Sequence, residues 1–194
     1  MALITHTLPG QRARPASFEV PLEMLAACHG RVQDQCATLL RLVAHMGEHG
    51  SDLPAQETAL SVMRYFDTAG QHHHQDEEID LFPALLESMA GSDPVCLREL
   101  TDSLTRDHVE LEGLWRALRL RLEHVANGNP VTWPKDEVPN FIEQYERHIE
   151  REEAELLPMA QRLLSDFELD RIGLAMRTRR GAFEPALDTK AEAT

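Results

Sequence analysis

Residues 73–83 read HHQDEEIDLFP, and residues 148–158 read HIEREEAELLP. The two segments align without gaps at an offset of 75 residues (148 − 73), and the same offset places Phe66 on Phe141. Together they share the pattern F-x6-H-x3-E-E-x2-L-[FL]-P. A repeat of this kind predicts that one structural unit occurs twice in the chain.

The repeat also decides which histidine and which acid of the first segment belong together. Three consecutive histidines at 72–74 each precede an acidic residue by four positions, so spacing alone leaves three equivalent pairs. The alignment selects His73 with Glu77, because these two match His148 and Glu152. Residues four apart on a helix share one face, so each pair can converge on a common ion. The histidines on either side of His73 are predicted to be neighbours of the site rather than ligands.

The pattern of apolar residues predicts helices throughout. Apolar residues recur at three- and four-residue steps, and no segment alternates with the period of two that strands require. The predicted helices run from Pro21 to a turn at 49–54, on to Pro83, from about residue 94 to Ala126, and from Pro134 to Pro158. Proline is expected to bend or end the second helix at Pro83.

Four long helices with short connections predict an all-α fold, an antiparallel four-helix bundle. Ser165 and Glu168 form a capping-box pattern that opens a short fifth helix, which Gly181 ends. We expect an N-terminal arm at 1–17, the bundle domain at 18–181 and a flexible tail at 182–194.

The amino-acid composition limits which binding partners and which cellular compartment are expected. The 194 residues carry 19 Lys and Arg against 33 Asp and Glu, a net charge of −14, without a basic block on any predicted helix. Nucleic acid and membranes are therefore not expected as partners. The three cysteines form no CxxC pair, and no segment has the length and apolarity of a signal peptide or a membrane span. These features predict a cytoplasmic protein.

Two further histidines complete a candidate metal site. His29 lies on the apolar face of the first helix, and His108 lies on that of the third. Four helices would then supply four imidazoles and two carboxylates to one place. A glutamate can bridge two ions, so Glu77 and Glu152 are predicted to bridge a metal held by His29 and His73 and another held by His108 and His148. Imidazole with carboxylate suits iron, manganese or zinc better than magnesium or calcium.

This set of residues resembles the hemerythrin-like HHE cation-binding family over about residues 22–165. The resemblance rests on His29, His108 and the doubled H-x3-E-E-x2-L-[FL]-P motif. It implies an up-down-up-down bundle holding a di-iron centre with an oxo or hydroxo bridge, similar to members with four histidines and two glutamates. Zinc or manganese remains an alternative to iron.

The sequence departs from the oxygen-carrying hemerythrins on the third helix. Those proteins have an H-x3-H pair there, whereas His108 is followed four residues later by Glu112. Glu112 is therefore a candidate extra ligand, an acceptor outside the metal ligands, or a proton donor.

Three functions are consistent with this sequence. The first is a di-iron protein that binds or senses dioxygen or nitric oxide at open coordination positions. The second is a stress-related enzyme that turns over nitric oxide or peroxide, or a protein that supplies iron for repair of iron centres. The third is a metal store or a metal-stabilised scaffold. The residues do not decide between a binding protein and an enzyme, or between a monomer and a homodimer.

Overall fold

The computed structural model describes residues 17–89 and 95–182, and within these ranges every regular element is helical. The predicted arm and tail lie outside the described residues, apart from residues 17 and 182. The α-helices are α1 Pro21–His49, α2 Leu53–Tyr65, α3 Gln71–Gln75, α4 Phe82–Ser88, α5 Val95–Ala126, α6 Glu137–Arg151, α7 Leu157–Leu163 and α8 Asp166–Arg179. Three π-helical segments lie between them, at Phe66–Gly70, Asp76–Leu81 and Glu152–Leu156.

Several of these elements run on without a break. Helices α2, α3 and α4, with the first two π segments, form one continuous helix at 53–88, here called the second bundle helix. Helices α6 and α7, with the third π segment, form the fourth bundle helix at 137–163. Helix α1 contacts α2 and α6, and α5 contacts the same two helices on the other side, which closes a ring of four.

The second helix does not end at Pro83 but continues to Ser88, because a π turn precedes the proline. Proline lacks a backbone N–H and crowds the carbonyl four residues back. The backbone N–H of Phe82 instead donates to the carbonyl of Glu77, five residues back, so the hydrogen-bond ladder has already shifted before the proline. The repeat does the same ahead of Pro158, where Leu157 N–H donates to the carbonyl of Glu152.

The helix ends follow local sequence signals. Asp52 caps α2 by accepting a hydrogen bond from the backbone N–H of Ala55. The predicted capping box of Ser165 and Glu168 at the start of α8 is confirmed, with both of its hydrogen bonds present. Gly181 follows α8 with a φ of 62°, a left-handed conformation that glycine adopts without strain.

The core consists of two apolar clusters at opposite ends of the bundle. One, here called the Phe141 cluster, contains Val32, Cys36, Leu39, Leu42, Ala55, Ala59, Val62, Met63, Phe66, Leu111, Trp115, Leu118, Leu122, Val125, Val138, Phe141, Tyr145 and Ile149. The other, here called the Leu85 cluster, contains Met24, Leu25, Leu81, Phe82, Ala84, Leu85, Leu97, Leu100, Leu104, Leu156, Ala160, Leu164, Ile172 and Met176. Each long helix leaves one cluster and enters the other at a buried histidine. A polar layer therefore separates the two clusters.

Helix α8 lies against the outside of this bundle. It contacts α1 and the π segment Asp76–Leu81, and it places Ile172 and Met176 in the Leu85 cluster. Gly173 allows close approach, since a Cβ built at that position would lie 2.0 Å from the carbonyl oxygen of Phe18. Across the described ranges, helices of sufficient length and apolarity to cross a membrane are absent.

Candidate metal centre

The buried polar layer contains six side chains that the sequence predicts to face inward. Their exposed fractions are at most 3%, and they come from all four long helices: His29, His73, Glu77, His108, His148 and Glu152. Their ligand atoms form two groups, each with every atom within 4.8 Å of the others. Both groups include Glu77 and Glu152, one with His29 and His73, the other with His108 and His148. The structure thus brings together the residues that the repeat selects.

In the first group the imidazoles approach different carboxylates. His29 Nε2 lies 3.1 Å from Glu152 Oε2. His73 Nε2 lies 3.5 Å from Glu77 Oε1, across one turn of the helix. The two rings meet edge to face, with centroids 4.9 Å apart. Four donor atoms from three helices therefore surround one point.

In the second group His148 and His108 face the other oxygens of the same carboxylates. His148 Nε2 lies 3.0 Å from Glu152 Oε1, and His108 Nε2 lies 3.4 Å from Glu77 Oε2. His108 Nε2 is also 3.2 Å from His148 Nε2. Each glutamate consequently directs one oxygen at each pair of histidines, as a carboxylate that bridges two cations would.

These close approaches leave polar atoms unsatisfied. Both carboxylate oxygens of Glu77 and of Glu152, and Nε2 of His29 and His73, are buried without a hydrogen-bond partner among the residues that the structure describes. Leaving an ionised carboxylate buried in this way costs several kcal/mol on the order of magnitude that holds for buried charges. Convergent donor atoms that do not bond to one another fit bound cations. The donor set of imidazole and carboxylate, without a cysteine in either group, fits iron, manganese or zinc.

The charges around the layer favour the protonated forms of His108 and His148 but the neutral form of His73. Burial lowers the pKa of His108, but its contacts with Glu152 and Glu77 outweigh this and raise the pKa to about 11. Burial also lowers the pKa of His148. Its contacts with Glu152 and Asp107 favour the charged form more strongly, so the pKa rises to about 9. Burial dominates at His73 and holds its pKa well below its ordinary value.

The pKa values of the two central carboxyl groups, Glu77 and Glu152, are shifted in opposite directions. Burial, together with repulsion from Glu152, raises the pKa of Glu77. For Glu152 burial acts in the same direction, but the imidazoles around it, His148 first among them, hold its pKa well below the ordinary value. Such a split is typical of two acids that share one site.

Acidic residues outside the six orient the imidazoles, and the sequence interpretation missed their role. His108 Nδ1 lies 2.6 Å from Glu78 Oε1, and His29 Nδ1 lies 3.1 Å from Glu153 Oε1. Metal-binding histidines commonly donate their second ring N–H to a carboxylate, which fixes the tautomer. The signal was present in the sequence, because both repeats contain E-E rather than a single glutamate. The second glutamate of each pair reaches the single histidine of the other half.

The proposed role of Glu112 finds no support in its position. Its side chain is exposed, and none of the three metal-compatible groups found among the described residues includes it. The buried face of α5 continues from His108 to Leu111 and Trp115, which turns the residue at 112 away from the interior. Glu112 therefore lies outside the groups of candidate ligands.

The histidines that flank His73 differ from each other. His74 joins a third metal-compatible group with His108 and His148, and burial together with these neighbours holds its pKa well below the ordinary value. His72 belongs to none of the groups found among the described residues. The prediction that both are only neighbours of the site thus fits His72 better than His74.

Asp76, the residue before Glu77, is fully buried and bound by two arginines of the C-terminal region. Arg180 Nη2 donates to Asp76 Oδ2, and Arg179 donates to Asp76 Oδ1 and, at 2.6 Å, to Asp80 Oδ2. The C-terminal end of helix α8 is therefore bound to the π segment that carries Glu77. Sequence reasoning did not predict a partner for this charge.

The fold and the site define a helical bundle with buried histidine and glutamate side chains arranged for cations. The model of the hemerythrin HHE cation-binding domain matches residues 20–160 of the chain. A Haemophilus influenzae protein described as uncharacterized is 32% identical over 165 residues, which cover 85% of this chain and 92% of that relative. This chain belongs to the hemerythrin HHE cation-binding domain family. Membership implies that it binds metal cations, typically iron.

Proposed function

We propose that this protein holds two iron ions in the polar layer and binds a diatomic ligand, dioxygen or nitric oxide, at an open coordination position. The proposal rests on the way each glutamate directs one carboxylate oxygen at each pair of histidines. Glu77 Oε1 faces His73 while its Oε2 faces His108, and Glu152 Oε2 faces His29 while its Oε1 faces His148. One cation between the groups would leave two imidazoles without a partner, whereas two cations use all six side chains.

The proposed ligands are His29 and His73 for one ion, His108 and His148 for the other, and Glu77 and Glu152 as bridges. Iron prefers about six donors, so two imidazoles and two shared carboxylates leave room at each ion for solvent or a small molecule. The Phe141 and Leu85 clusters cover both sides of the layer with apolar side chains. Such walls favour a neutral diatomic ligand over a charged substrate.

The frame for this centre is proposed to be the up-down-up-down antiparallel bundle. Along the chain, α1 meets the Leu85 cluster before the Phe141 cluster, and the second bundle helix meets them in the reverse order. The order alternates again for α5 and for the fourth bundle helix. This alternation, with each helix touching two neighbours in a ring, supports the arrangement.

Anaerobic loading with Fe(II), followed by exposure to nitric oxide or air, tests the proposal. We expect new absorption bands in the visible range from the iron–ligand adduct, and we expect them to disappear in Glu77→Ala and Glu152→Ala. Glu112→Ala serves as the matched control, since that side chain is exposed, and it should retain the bands. If the wild-type protein takes up iron but its spectrum does not respond to either gas, binding of a diatomic ligand is disproved.

A further inference from the structure

His73 and His74 are consecutive, yet they face different halves of the metal centre. The His73 ring lies 4.9 Å from the ring of His29, whereas the His74 ring lies 4.0 Å from the ring of His108 at an interplanar angle of 11°. Neighbouring residues of an α-helix point about 100° apart. Helix α3 therefore runs across the centre, with one histidine on each side.

The His74 side chain has a nitrogen for which the described part of the chain provides no hydrogen-bond partner. The residue as a whole is partly accessible, but its Nε2 atom is buried and makes no hydrogen bond within residues 17–89 and 95–182. Stacking on His108 uses the face of the ring and leaves this nitrogen unsatisfied, which is unfavourable for a buried polar atom. Its ligand atom lies within 4.8 Å of those of His108 and His148.

We propose that His74 is a third imidazole ligand of the metal held by His108 and His148. This inference rests on the proposed di-metal centre. Ligation requires the His74 ring to turn off the face of His108, since two parallel rings cannot direct their nitrogens at one ion. The movement is a change of side-chain torsion between staggered rotamers.

The third imidazole makes the two halves of the centre unequal. The repeat places Ile149 at the position equivalent to His74, and Ile149 is buried in the Phe141 cluster. The second half of the chain therefore has no counterpart to His74 as a ligand. The metal at His108 and His148 would then receive three imidazoles and the metal at His29 and His73 two, which leaves one more coordination position open at His29 and His73.

Proton NMR of the protein loaded with paramagnetic Co(II) tests this assignment directly. Each ligating imidazole gives one strongly shifted N–H signal that disappears in D2O. We expect His74→Gln to lack one such signal and to bind one of its two metals about 10- to 100-fold more weakly, as loss of a ligand or its support typically does. His72→Gln, altered at the adjacent histidine outside the groups, should keep every signal and the wild-type affinity.

The outcomes separate this inference from the proposed function. An unchanged set of shifted signals and unchanged affinity in His74→Gln would overturn the ligand role and leave the ring as a stacking partner of His108. If His74→Gln does not fold, the wild-type spectrum still decides, because a ligating His74 adds one signal to those of His29, His73, His108 and His148. Failure of the wild-type protein to bind Co(II) or iron at all would instead refute the proposed function.

Discussion

Glu78 and Glu153 connect the two halves of the repeat at the level of single residues. Each follows a central carboxylate directly in sequence and contacts Nδ1 of a histidine from the other half, Glu78 with His108 and Glu153 with His29. The contact directs Nε2 of each ring toward the central carboxylates. Both glutamates remain partly exposed, with side-chain exposures of 39% and 52%, so they also join the buried layer to solvent.

Replacing either residue should weaken metal binding without unfolding the bundle. We expect Glu78→Gln and Glu153→Gln each to lower iron affinity by about 10- to 100-fold, because the imidazoles lose the acceptor that fixes their tautomer. Competition with a chromophoric chelator measures the change. Glu155→Gln is the control, since Glu155 is exposed in the same π segment as Glu153. Equal affinities for all three variants and the wild type would contradict an orienting role.

Metal uptake should release protons from His108 and His148. Their pKa values of about 11 and about 9 exceed their ordinary value, so we expect both rings to be protonated at about pH 8 in the metal-free protein. A ligating imidazole must be neutral, and binding is therefore expected to release about two protons per chain and to strengthen as the pH rises. Calorimetry in buffers of different ionisation enthalpy measures the release. An affinity independent of pH between about 6 and 9 would argue against ligation by these two histidines.

Among the helices, α8 has a distinct role, because arginines at its C-terminal end neutralise a buried charge beside the site. Asp76 is fully buried, and Arg179 and Arg180 supply its countercharges. Removal of both partners leaves that carboxylate buried and unpaired. The helix begins beyond the residues that match the family model, so its attachment to Asp76 is a feature that the family match does not describe.

The double variant Arg179→Ala/Arg180→Ala should lose about 3–5 kcal/mol of stability, the usual cost of breaking a buried ion pair from one side. Denaturant unfolding of the metal-free protein measures the loss, and adding Asp76→Asn should recover part of it. Arg171→Ala is the matched control on the same helix, where the pair with Glu87 is exposed and worth about 0–1 kcal/mol. A loss no larger than that of the control would show that α8 does not neutralise Asp76.

The contact between α8 and the start of α1 depends on a missing side chain. At Gly173 a Cβ would meet the carbonyl oxygen of Phe18 at 2.0 Å, so Gly173→Ala forces the backbones apart and should cost about 1–3 kcal/mol. Gly113 lies in α5, where a Cβ would have nothing within 4 Å, so Gly113→Ala should instead add about 0.5–1 kcal/mol. Thermal unfolding of both variants shows whether each substitution lowers or raises the stability. Stabilisation by Gly173→Ala would exclude the close contact.

At the scale of the whole molecule, one polar layer between two apolar clusters explains both the fold and the site. Apolar spacing carried enough information to predict the helices and the inward faces that hold His29 and His108, and the repeat paired His73 with Glu77 and His148 with Glu152. Both could do so because a helix of known period fixes which residues share a face. The family resemblance proposed from the same residues is confirmed by the match over residues 20–160.

Other features depend on contacts that helical period does not encode. The π turns before Pro83 and Pro158 shift the register by one residue, and this shift cannot be read from apolar spacing. The Asp76 network joins residues that are 103 and 104 positions apart. Glu112 shows the converse case, because its spacing of four residues from His108 is compatible with facing the site, whereas the buried face of α5 continues through Leu111 and Trp115.

The central claim is that Glu77 and Glu152 bridge two iron ions, and an anaerobic Fe(II) titration followed by Mössbauer spectroscopy in an applied field tests it. We predict saturation at about two iron ions per chain and, after oxidation, a diamagnetic ground state from exchange coupling through the bridges. Glu77→Gln and Glu152→Gln should each reduce the iron content to about one ion or less. Saturation of the wild type at one iron per chain, or two irons that behave as independent paramagnetic ions, would contradict the bridged centre.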